Sequence, residues 1–446
     1  MSNHRAVIIL AAGHGSRMKS KLPKVLHEVG GRSMFDWLVA LARDIGAQRI
    51  AAIVGTQTPM VKSRAVDLLG GGGVAVQEPQ LGTGHATGFA KDIMDGFDGD
   101  VLVVFADSPL ITKETIEQVF AVLQDGAAVA VVGFEPDEPG AYGRLVEDEH
   151  GNLQRIVEAK DASDAELAIR LCNSGVVAVN SRLLFSLLAE VKNDNANGEY
   201  YLTDIIAIAR NRGLTAKAIR ATPEEVLGVN SRVELAKAEQ VFQSRSREQA
   251  LENGVCLLAP DSVHFTFDTV LDADVVVEPN VVFGPGVIVK SGAIIRAFSH
   301  LEGARIDEDV VIGPYARIRP GTRVKGGAKV GNFVEIKKST IREGAKVSHL
   351  SYIGDADVGA NANIGAGTIT CNYDGFDKYN TQIGDGAFIG SNSSLVAPVK
   401  IGDGAFVGSG SVITKDVSAD GLAVARGRQK ELTNWANEFR NKKGNS

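Results

Sequence analysis

A glycine-rich segment with two basic residues follows the first apolar run of the sequence. It has the form Gly-x-Gly-x-Arg-x5-Pro-Lys, with Gly13, Gly15, Arg17 and Lys24 at the defined positions. Free backbone N–H groups and two cations can hold a triphosphate and neutralise the charge that develops during phosphoryl transfer. The segment lacks the GK[ST] of a Walker A loop and the third glycine of a dinucleotide fingerprint. The spacing predicts a phosphate-binding loop; the alternative is a structural turn with solvated cations.

A carboxylate, Asp107, follows a second apolar run at residues 101–105. In open α/β sheets ligands bind at the carboxyl ends of the strands, and Asp is a natural ligand for Mg²⁺ beside phosphates. The alternative for Asp107 is a structural role at a turn or a helix start. Other polar positions after apolar runs suit a nucleobase edge or sugar hydroxyls, namely Gln77, Gly82, Thr83, Glu158 and Asn173.

Charged and aromatic residues of the second half cluster where a six-residue repeat is interrupted. Such a repeat does not need these residues for stability, and insertions in repeat proteins often carry binding. The largest interruption is the polar and aromatic segment 371–381. A purely structural domain is the alternative to a second site. The clustered residues are Arg319, Lys337, Lys338, His349, Tyr352, Asn363, Asn372 and Tyr373.

The elements that must position the first group of residues have an alternating pattern. Short apolar runs alternate with amphipathic stretches up to about residue 250, which predicts an α/β fold with a mostly parallel sheet covered on both faces. The predicted helices are 34–45, 83–94 and 113–123, followed by a charged linker helix at 233–252. The predicted strands are 7–10, 50–54, 74–77, 101–105, 129–134, 176–179 and 216–220.

After residue 254, aliphatic residues recur at every sixth position, a period that neither a helix nor an ordinary strand has. One aliphatic per hexad predicts a β-helix in which three hexads form one triangular coil and the aliphatic side chain points to the axis. This explains the 50 glycines and the aromatic content of only 6%. The periodic residues are Val276, Val282, Ile288 and Ile294; Ile306, Ile312, Ile318, Val324, Val330 and Ile336; Val347 and Ile353 in a slipped phase; and Ile383, Ile389, Leu395, Ile401, Val407 and Ile413.

The composition excludes several classes of protein. The chain has 47 basic and 54 acidic residues, a net charge of −7, without the basic excess of a nucleic-acid binder. Its three cysteines, Cys172, Cys256 and Cys371, lack a CxxC spacing, which argues against a disulfide framework or a cysteine zinc site. The apolar run 6–12 is too short to span a membrane and leads into a basic segment. We therefore expect a cytoplasmic protein with no stable membrane anchoring and no nucleic-acid partner.

The motifs of both halves, taken in order, resemble a known enzyme family. The motifs of the first half are similar to those of sugar-nucleotide pyrophosphorylases. With the hexapeptide half, the whole chain is similar to the bacterial bifunctional N-acetylglucosamine-1-phosphate uridylyltransferases/glucosamine-1-phosphate N-acetyltransferases. Ala106 and Gly84 stand where that family commonly has Gly and Ala, and we expect no loss of activity from such small exchanges. The motifs are 13–24, Asp107 after its strand, Tyr142-Gly143-Arg144, Ile156-Val157-Glu158, Asn173-Ser174-Gly175 and Gly228-Val229-Asn230.

The resemblance implies an N-terminal Rossmann-like nucleotide-diphospho-sugar transferase domain at 1–232, a linker helix at 233–253 and a left-handed parallel β-helix with N-acetyltransferase activity at 254–446. It implies that acetyl-CoA acetylates glucosamine 1-phosphate and that UTP then gives UDP-N-acetylglucosamine and pyrophosphate. The alternative is a monofunctional sugar-1-phosphate nucleotidylyltransferase whose β-helix only assembles or regulates. A non-enzymatic scaffold is a third interpretation, against which the phosphate loop and Asp107 argue.

For uridylyl transfer, the resemblance implies a Mg²⁺ ion held by Asp107 and Asn230, with Lys24 and Arg17 as catalytic cations. No protein nucleophile is required, because positioning and charge neutralisation suffice for an in-line displacement. The residues implied to contact the uridine nucleotide are Leu10, Ala11, Ala12, Gly13, Lys24, Gln77, Gly82 and Thr83, and those implied to line the sugar are Gly143, Glu158 and Asn173.

For acetyl transfer, the resemblance implies His349 as the general base for the substrate amine, a task that suits an imidazole with a pKa near ~6.5. A ping-pong mechanism through Cys371 is the open alternative. The family forms homotrimers with acetyl-CoA sites between subunits. Arg319 and Lys337 would bind the sugar phosphate, Tyr352 and Asn363 would orient the sugar, and Ala366, Asn372, Tyr373, Ser391, Ser409 and Arg426 would contact acetyl-CoA.

Overall fold

The computed structural model describes residues 4–13 and 15–444. The chain divides into two units, Met1–Ser244 and Arg245–Ser446, and the division falls inside the helix Arg232–Glu252. Within the described ranges, no helix is long and apolar enough to span a membrane.

Among its described residues, the first unit contains eleven strands and seven complete helices, and an eighth helix begins in it. The strands are β1 Arg5–Ala11, β2 Glu28–Val29, β3 Arg32–Ser33, β4 Arg49–Gly55, β5 Val74–Gln77, β6 Asp100–Phe105, β7 Val129–Phe134, β8 Arg144–Glu147, β9 Leu153–Val157, β10 Cys172–Asn180 and β11 Ala216–Arg220. The helices are α1 Met34–Asp44, α2 Pro59–Leu69, α3 Thr83–Gly88, α4 Lys113–Gln124, α5 Asp164–Leu167, α6 Ser181–Leu188, α7 Asp204–Asn211 and α8 Arg232–Glu252, with short 3-10 turns at Ser16–Met18, Lys24–Leu26 and Gly71–Gly73.

The predicted, mostly parallel α/β sheet is confirmed, and β10 makes it a mixed sheet. Its strands are ordered β11-β7-β10-β6-β1-β4-β5, with β8 and β9 attached at β10. Strand β10 runs antiparallel to β6 and β7, whereas β1 pairs in parallel with β4 and β6. The chain leaves β1 toward β4 on one side and returns to β6 on the other, so the carboxyl ends of β1 and β6 flank a topological switch point.

Both faces of this sheet are buried, which accounts for its continuous apolar strands. Along β1, Val7 and Ile9 pack in the core under α1, α2 and α4, whereas Ile8 and Leu10 pack in the core under α3, α6 and α7. The side chains alternate between the two cores because successive residues of a strand point to opposite faces.

Helix α3 is shorter than the predicted helix 83–94, because it ends at Gly88. Glycine is about 1 kcal/mol less favourable than alanine within a helix. The chain then tightens into turns in which the N–H of Phe89 bonds to Ala86 and that of Ala90 bonds to Thr87. Residues 89–94 therefore continue as turns, most of which have i→i+3 hydrogen bonds, rather than as a regular α-helix.

The second unit is built from very short strands. They are β12 Cys256–Leu257, β13 Val270–Leu271, β14 Val276–Val277, β15 Val282–Phe283, β16 Ile288–Val289, β17 Ile294–Ile295, β18 His300–Leu301, β19 Ala304–Ile306, β20 Val311–Ile312, β21 Arg317–Ile318, β22 Thr322–Val324, β23 Lys329–Asn332, β24 Glu335–Lys337, β25 Thr340–Ile341, β26 Lys346–His349, β27 Tyr352–Gly354, β28 Ala356–Val358, β29 Asn363–Ile364, β30 Ile369–Cys371, β31 Thr381–Ile383, β32 Phe388–Ile389, β33 Ser394–Val396, β34 Val399–Ile401, β35 Phe406–Val407, β36 Val412–Ile413 and β37 Leu422–Ala423. A 3-10 turn lies at Pro260–Ser262 and helix α9 at Trp435–Gly444.

These strands form three parallel sheets, which are the three faces of the predicted left-handed β-helix. Face one runs from β12 through β14 and β17 to β37, face two from β15 through β18 to β36, and face three from β13 through β16 to β34. The chain passes from face one to two to three in each coil. We call the corner between faces one and two the first edge, and the corner between faces two and three the second edge.

The interior position of the first coils is one residue later than predicted. Val276, Val282, Ile288 and Ile294 are only half-buried and lie on the outer side of their strands. Both residues of each of these strands are aliphatic or aromatic, so a six-residue period cannot distinguish the inward residue from its neighbour. From Ile306 onward the predicted residues are buried. In the first coils the buried residues are Val277, Phe283, Val289 and Ile295.

The predicted interruption of the repeat is present as a loop on the outside of the β-helix. Strand β30 ends at Cys371 and β31 begins at Thr381. The loop side chains from Tyr373 onward are exposed, and Phe376 is 92% exposed. The loop therefore adds nothing to the interior of the β-helix.

Candidate functional site

The phosphate loop and the predicted Mg²⁺ ligands meet at one point of the first unit. The Nζ atom of Lys24 lies 2.5 Å from Oδ2 of Asp107 and 2.9 Å from Oδ1 of Asn230. These partners are 83 and 206 residues from Lys24 along the chain. The side chains of Lys24 and Asp107 are only 11% and 20% exposed. The fold thus gathers a lysine, a carboxylate and an amide from three separate segments.

The sheet explains how these segments come together. The backbone N–H of Ala106 bonds to the carbonyl of Leu10, which holds the end of β6 beside the end of β1. The N–H of Val229 bonds to the carbonyl of Asp107 and so brings the segment of Asn230 to the same edge. The backbone N–H of Asn230 is bonded in turn to the Glu234 carboxylate at 2.8 Å.

Gly15 has a direct structural reason to be glycine. Its φ is +64°, and a Cβ atom there would lie 2.4 Å from the Cβ of Lys24. The second glycine of the loop therefore allows the close approach that places Lys24. Arg17, in contrast, is exposed on the turn Ser16–Met18 and lines neither of the two cavities described below.

The donors at this point fit Mg²⁺. A carboxylate oxygen of Asp107 and an amide oxygen of Asn230 both contact a cation, the ammonium group of Lys24. Mg²⁺ is usually held by one or two carboxylates together with waters and substrate phosphates. Across residues 4–13 and 15–444, no cluster of three or more His, Cys, Asp or Glu side chains could hold a metal ion. One carboxylate oxygen and one amide oxygen suit a Mg²⁺ ion that completes its coordination with waters and nucleotide phosphates.

Two adjoining cavities open around Asp107. The phosphate-loop cavity has a volume of about 270 Å³ and the Glu158 cavity about 430 Å³. They share Thr83, Phe105, Asp107 and Glu199 in their linings. The phosphate-loop cavity is lined by all the residues predicted for the uridine nucleotide: Leu10, Ala11, Ala12, Gly13, Lys24, Gln77, Gly82 and Thr83. The Glu158 cavity is lined by the predicted sugar residues Gly143, Glu158 and Asn173, and by Asn230.

The polar groups of the phosphate-loop cavity are held in place by hydrogen bonds. Gln77 is buried, and its Nε2 donates to the carbonyl of Gly82 at 3.0 Å and lies 3.2 Å from Nδ1 of His85. Sequence reasoning assigned no role to Gln80, whose Nε2 donates to the carbonyl of Ala12 at 2.7 Å and so supports the loop. Its position in the segment that precedes Gly82 was the available signal.

In the Glu158 cavity the carboxyl group has an unusual environment. Burial raises the pKa of Glu158, and the nearby carboxylates of Asp161 and Asp204 raise it further, whereas a hydrogen bond from Thr203 opposes the change. The Thr203 hydroxyl donates to Oε1 of Glu158 at 3.2 Å. The backbone N–H of Asn173 bonds to the carbonyl of Gly143 at 2.8 Å. These contacts hold the Glu158 carboxyl group and the backbone of Asn173 in place.

In the second unit, His349 ends β26 and lies at the first edge. It is exposed, and its Nδ1 lies 2.7 Å from Oδ1 of Asn332, the residue opposite it at the end of β23. Asn363 lies on the same face, one strand further along, and Tyr352 begins face two immediately after the edge. Sequence reasoning missed Asn332, because nothing in its immediate surroundings breaks the repeat.

The predicted sugar-phosphate residues lie toward the second edge. Ile318 pairs with Ile336 on face two, which places Arg319 and Lys337 in neighbouring coils at the far side of that face. Nη1 of Arg319 lies 2.8 Å from Oε1 of Glu335, and this hydrogen bond raises the pKa of Arg319. Within one chain, His349 and this pair of cations are therefore at opposite sides of face two.

The predicted acetyl-CoA residues are also divided between the edges. Along the first edge, the carbonyl of Ala366 accepts a hydrogen bond from the N–H of Asn392, which follows Ser391. The carbonyl of Ser391 accepts in the same way from the N–H of Gly410, which follows Ser409. Nη1 of Arg426 donates to the carbonyl of Ser409 at 2.7 Å. These contacts bring Ala366, Ser391, Ser409 and Arg426 into consecutive coils.

Asn372 lies at the second edge instead. It is buried, and its Nδ2 donates to Oδ2 of Asp355 at 2.5 Å. Tyr373 follows in the exposed loop. Cys371 is on face two and half-buried, whereas His349 belongs to face one, so the fold does not place the two on the same strand or face.

The mixed sheet with its phosphate loop and the three-faced β-helix define a two-part transferase, a nucleotidyltransferase joined to a hexapeptide-repeat transferase. Residues 7–197 match the MobA-like NTP transferase domain, and residues 380–415 match the bacterial transferase hexapeptide of six repeats. These matches confirm the predicted fold class of each half.

Similar curated proteins extend over the whole chain. The chain is 59% identical to the bifunctional protein GlmU of Maricaulis maris over 98% of this chain and 97% of that protein. It is 56% identical to the GlmU of Rhodospirillum rubrum over 98% and 97% of the two chains, and 53% identical to that of Azorhizobium caulinodans over 98% of each. The chain belongs to the bifunctional GlmU family. It is thus a uridylyltransferase and an acetyltransferase, and the monofunctional alternative is set aside.

Proposed function

We propose that uridylyl transfer takes place where Lys24, Asp107 and Asn230 meet, with the nucleotide in the phosphate-loop cavity and the sugar phosphate in the Glu158 cavity. The convergence of these three side chains is the observation that carries the proposal. The two cavities adjoin at Asp107, so a phosphate group bound beside Asp107 would lie at the junction of the nucleotide and sugar-phosphate cavities. Leu10, Gln77 and the other residues that line the first cavity would bind UTP.

The chain's own residues account for the chemistry of this transfer. A phosphate oxygen of N-acetylglucosamine 1-phosphate attacks the α-phosphorus of UTP in line, and the bond to pyrophosphate breaks. Lys24 and the N–H groups of the loop offset the negative charge on the phosphates. Mg²⁺ bound by Asp107 and Asn230 would neutralise further phosphate charge. Arg17 is exposed beside the loop and would reach the phosphates as a second cation.

Glu158, Asn173 and Gly143 would bind the sugar. A carboxylate accepts hydrogen bonds from hydroxyl groups, and the amide of Asn173 can both donate and accept. Because the Thr203 hydroxyl already occupies one oxygen of Glu158, the second oxygen is the one that would receive a sugar hydroxyl. Burial of the carboxyl group in this cavity supports the assignment, since a desolvated acceptor discriminates strongly between ligands.

We propose that acetyl transfer uses His349 as the general base. The amine of glucosamine 1-phosphate attacks the thioester carbonyl carbon of acetyl-CoA, His349 receives the proton lost by the nitrogen, and the carbon–sulfur bond breaks. Arg319 and Lys337 would bind the sugar phosphate, with Tyr352 and Asn363 orienting the sugar. Direct attack leaves no task for Cys371.

We also propose that the acetyltransferase is a homotrimer with its sites between subunits. His349 lies at the first edge and Arg319 and Lys337 at the second, a separation of one hexad or about 20 Å of extended chain. The two groups could act on one substrate if the first edge of one copy faces the second edge of another. An exposed aromatic stack on the first edge, Phe298, Tyr315 and Phe333, would then be covered. Sedimentation velocity tests this, and a monomer would contradict it.

The remaining coenzyme contacts would follow from the same assembly. Ala366, Ser391, Ser409 and Arg426 lie along the first edge, whereas Asn372 lies at the second edge and Tyr373 in the loop that follows it.

UTP and acetyl-CoA are metabolites of the cytoplasm, so we place the enzyme there. We propose the domain limits 1–232 for the uridylyltransferase, 233–253 for the linker helix and 254–446 for the acetyltransferase.

A pair of variants tests the division of labour between the two sites. Asp107→Asn weakens the Mg²⁺ site and should lower uridylyl transfer by about 10²–10³-fold, with acetyl transfer close to normal. His349→Ala should lower acetyl transfer by about 10²–10⁴-fold and leave uridylyl transfer close to normal. Pyrophosphate release and thiol release measure the two activities in one preparation. If either variant lowered both activities in a folded protein, the assignment of residues to sites would be wrong.

A further inference from the structure

Asn332 is the neighbour of His349 in the preceding coil of the β-helix. Asn332 and His349 are opposite each other at the ends of β23 and β26, and the side-chain atoms Oδ1 and Nδ1 are 2.7 Å apart. Among the described residues, Asn332 is the one hydrogen-bond partner of the His349 ring. The site residues assigned above do not include Asn332.

The backbone around this pair is tightly fixed. The carbonyl of His349 accepts from the Ser351 hydroxyl and from the N–H of Gly367, and the carbonyl of Asn332 accepts from the N–H of Leu350. Gly331 allows the two strands to approach here, because a Cβ atom on it would lie 1.9 Å from the carbonyl oxygen of Ser348. The position of the imidazole relative to the amide is thus built into the coil.

We propose that Asn332 is a positioning residue for acetyl transfer, which sets the tautomer and the orientation of His349. An amide oxygen only accepts hydrogen bonds, so it requires the proton of a neutral imidazole to be on Nδ1. The lone pair is then on Nε2, and Nε2 is the atom that receives the proton from the substrate amine. This inference rests on the proposed role of His349 as the base.

The neutrality of the amide also matters. A carboxylate at the same place would stabilise the imidazolium form and raise the pKa of the base. The amide orients the ring without adding a charge beside it. The charged and titratable groups on the surrounding strands are Lys329 on β23, Lys346 on β26, and Glu335 and Tyr352 on face two.

Two substitutions at this position separate positioning from packing. Asn332→Leu removes the acceptor and keeps a side chain of similar length. It should lower kcat of acetyl transfer by about 10–100-fold, by analogy with the loss of partners that orient metal-bound imidazoles, and change KM for both substrates little. Asn332→Asp keeps the acceptor and adds a charge. At high pH, kcat of Asn332→Asp should exceed that of Asn332→Leu and approach the wild-type value. The pH at which kcat/KM rises should be higher than in wild type by about one unit or more.

The experiment measures pH profiles of acetyl transfer for these variants beside wild type, His349→Ala and Gln382→Leu. Gln382 is an exposed amide on face three and serves as the matched control, and uridylyl transfer in the same chain serves as the internal one. The expected result is a loss in Asn332→Leu, a shifted profile in Asn332→Asp and a wild-type profile in Gln382→Leu.

Three results would overturn the inference. Near-normal kcat in Asn332→Leu would show that the amide does not position the base. An unshifted profile in an active Asn332→Asp would show that this side chain does not reach the imidazole. Near-normal kcat in His349→Ala would remove the base itself, and the inference with it. If His349→Ala is inactive while both Asn332 variants behave as wild type, only the positioning role fails.

Discussion

The ammonium group of Lys24 lies between the side-chain oxygens of Asp107 and Asn230, at the position that we assign to Mg²⁺. It contacts Asp107 at 2.5 Å and Asn230 at 2.9 Å. In the absence of nucleotide, a metal ion must therefore displace this ammonium group before it can use the Asp107 carboxylate. Substitution of Lys24 by Met removes the competing cation and keeps an unbranched side chain of similar length. We expect the variant to bind Mg²⁺ more tightly than wild type when no nucleotide is present.

The size of the change follows from the contact that is lost. A hydrogen bond to a charged group contributes about 1.5–3 kcal/mol, and each 1.4 kcal/mol corresponds to a tenfold change in affinity. Both partners are largely shielded from solvent, which keeps the interaction from being fully screened. The affinity of Lys24→Met for Mg²⁺ should thus rise by about 10–100-fold. Its kcat for uridylyl transfer should fall by about 10²–10³-fold, because the same ammonium group neutralises phosphate charge.

The assay is the binding of Mn²⁺ to nucleotide-free enzyme, followed by electron paramagnetic resonance, with Mg²⁺ as competitor. Lys21→Met is the matched control, since it removes the same charge from an exposed position of the same segment. A Lys24→Met affinity equal to that of Lys21→Met would refute the reasoning, because it would show that the ammonium group and the metal ion do not compete for Asp107.

Three further predictions follow from the first unit. Gly15→Ala should lower Tm and slow uridylyl transfer, because its Cβ would strike the loop lysine; Gly13→Ala, whose Cβ meets no atom within 4 Å, should keep the wild-type Tm, and equal Tm values would contradict this. Because burial raises the pKa of Glu158, its carboxyl group lowers the stability of the fold as pH rises from the ordinary pKa of 4.5 through the pKa of the folded state. The Tm advantage of Glu158→Gln over wild type should therefore grow from pH 4.5 to 7. A constant Tm difference in calorimetry would contradict this prediction. A fragment ending at Ser244 keeps the part of α8 that packs on the first unit and should melt above one ending at residue 232, with equal melting as the contrary outcome.

The sequence was sufficient to predict the main strands of the first unit and the coils of the second, because each is defined by a local pattern. The hairpin of β8 and β9 and the helices α2, α6 and α7 were not among the predicted elements. Buried parallel strands need continuous apolar residues, and coils of a β-helix need a regular hexad, so both leave a periodic signal. The phase of the first coils was wrong because Val276 and Val277 are equally apolar, and packing against the axis decides between them. The end of α3 at Gly88 was missed for a related reason, since the preceding and following residues have the same pattern.

The site could be predicted only in part. Gly15 and Lys24 lie within ten residues of each other, and Asp107 directly follows its strand, so local spacing was enough to select them. Asn230 is 206 residues from Lys24, and only resemblance to a family pointed to it. Glu199, which both cavities share, lies in a loop with no regular pattern. Residues of this kind are selected by the fold rather than by their neighbours in sequence.

In the β-helix, however, contacts between coils have a regular spacing that the sequence does contain. Asn332 and His349 are 17 residues apart, as are Asp355 and Asn372. Since one coil takes about three hexads, any residue at a corner has its side-chain neighbours one coil before and one coil after it. A polar side chain 17 or 18 residues from a candidate catalytic residue is therefore a candidate partner, even where the intervening residues give no signal. Applied to His349, this rule selects Asn332 directly, whereas a search for breaks in the repeat selects only His349 itself.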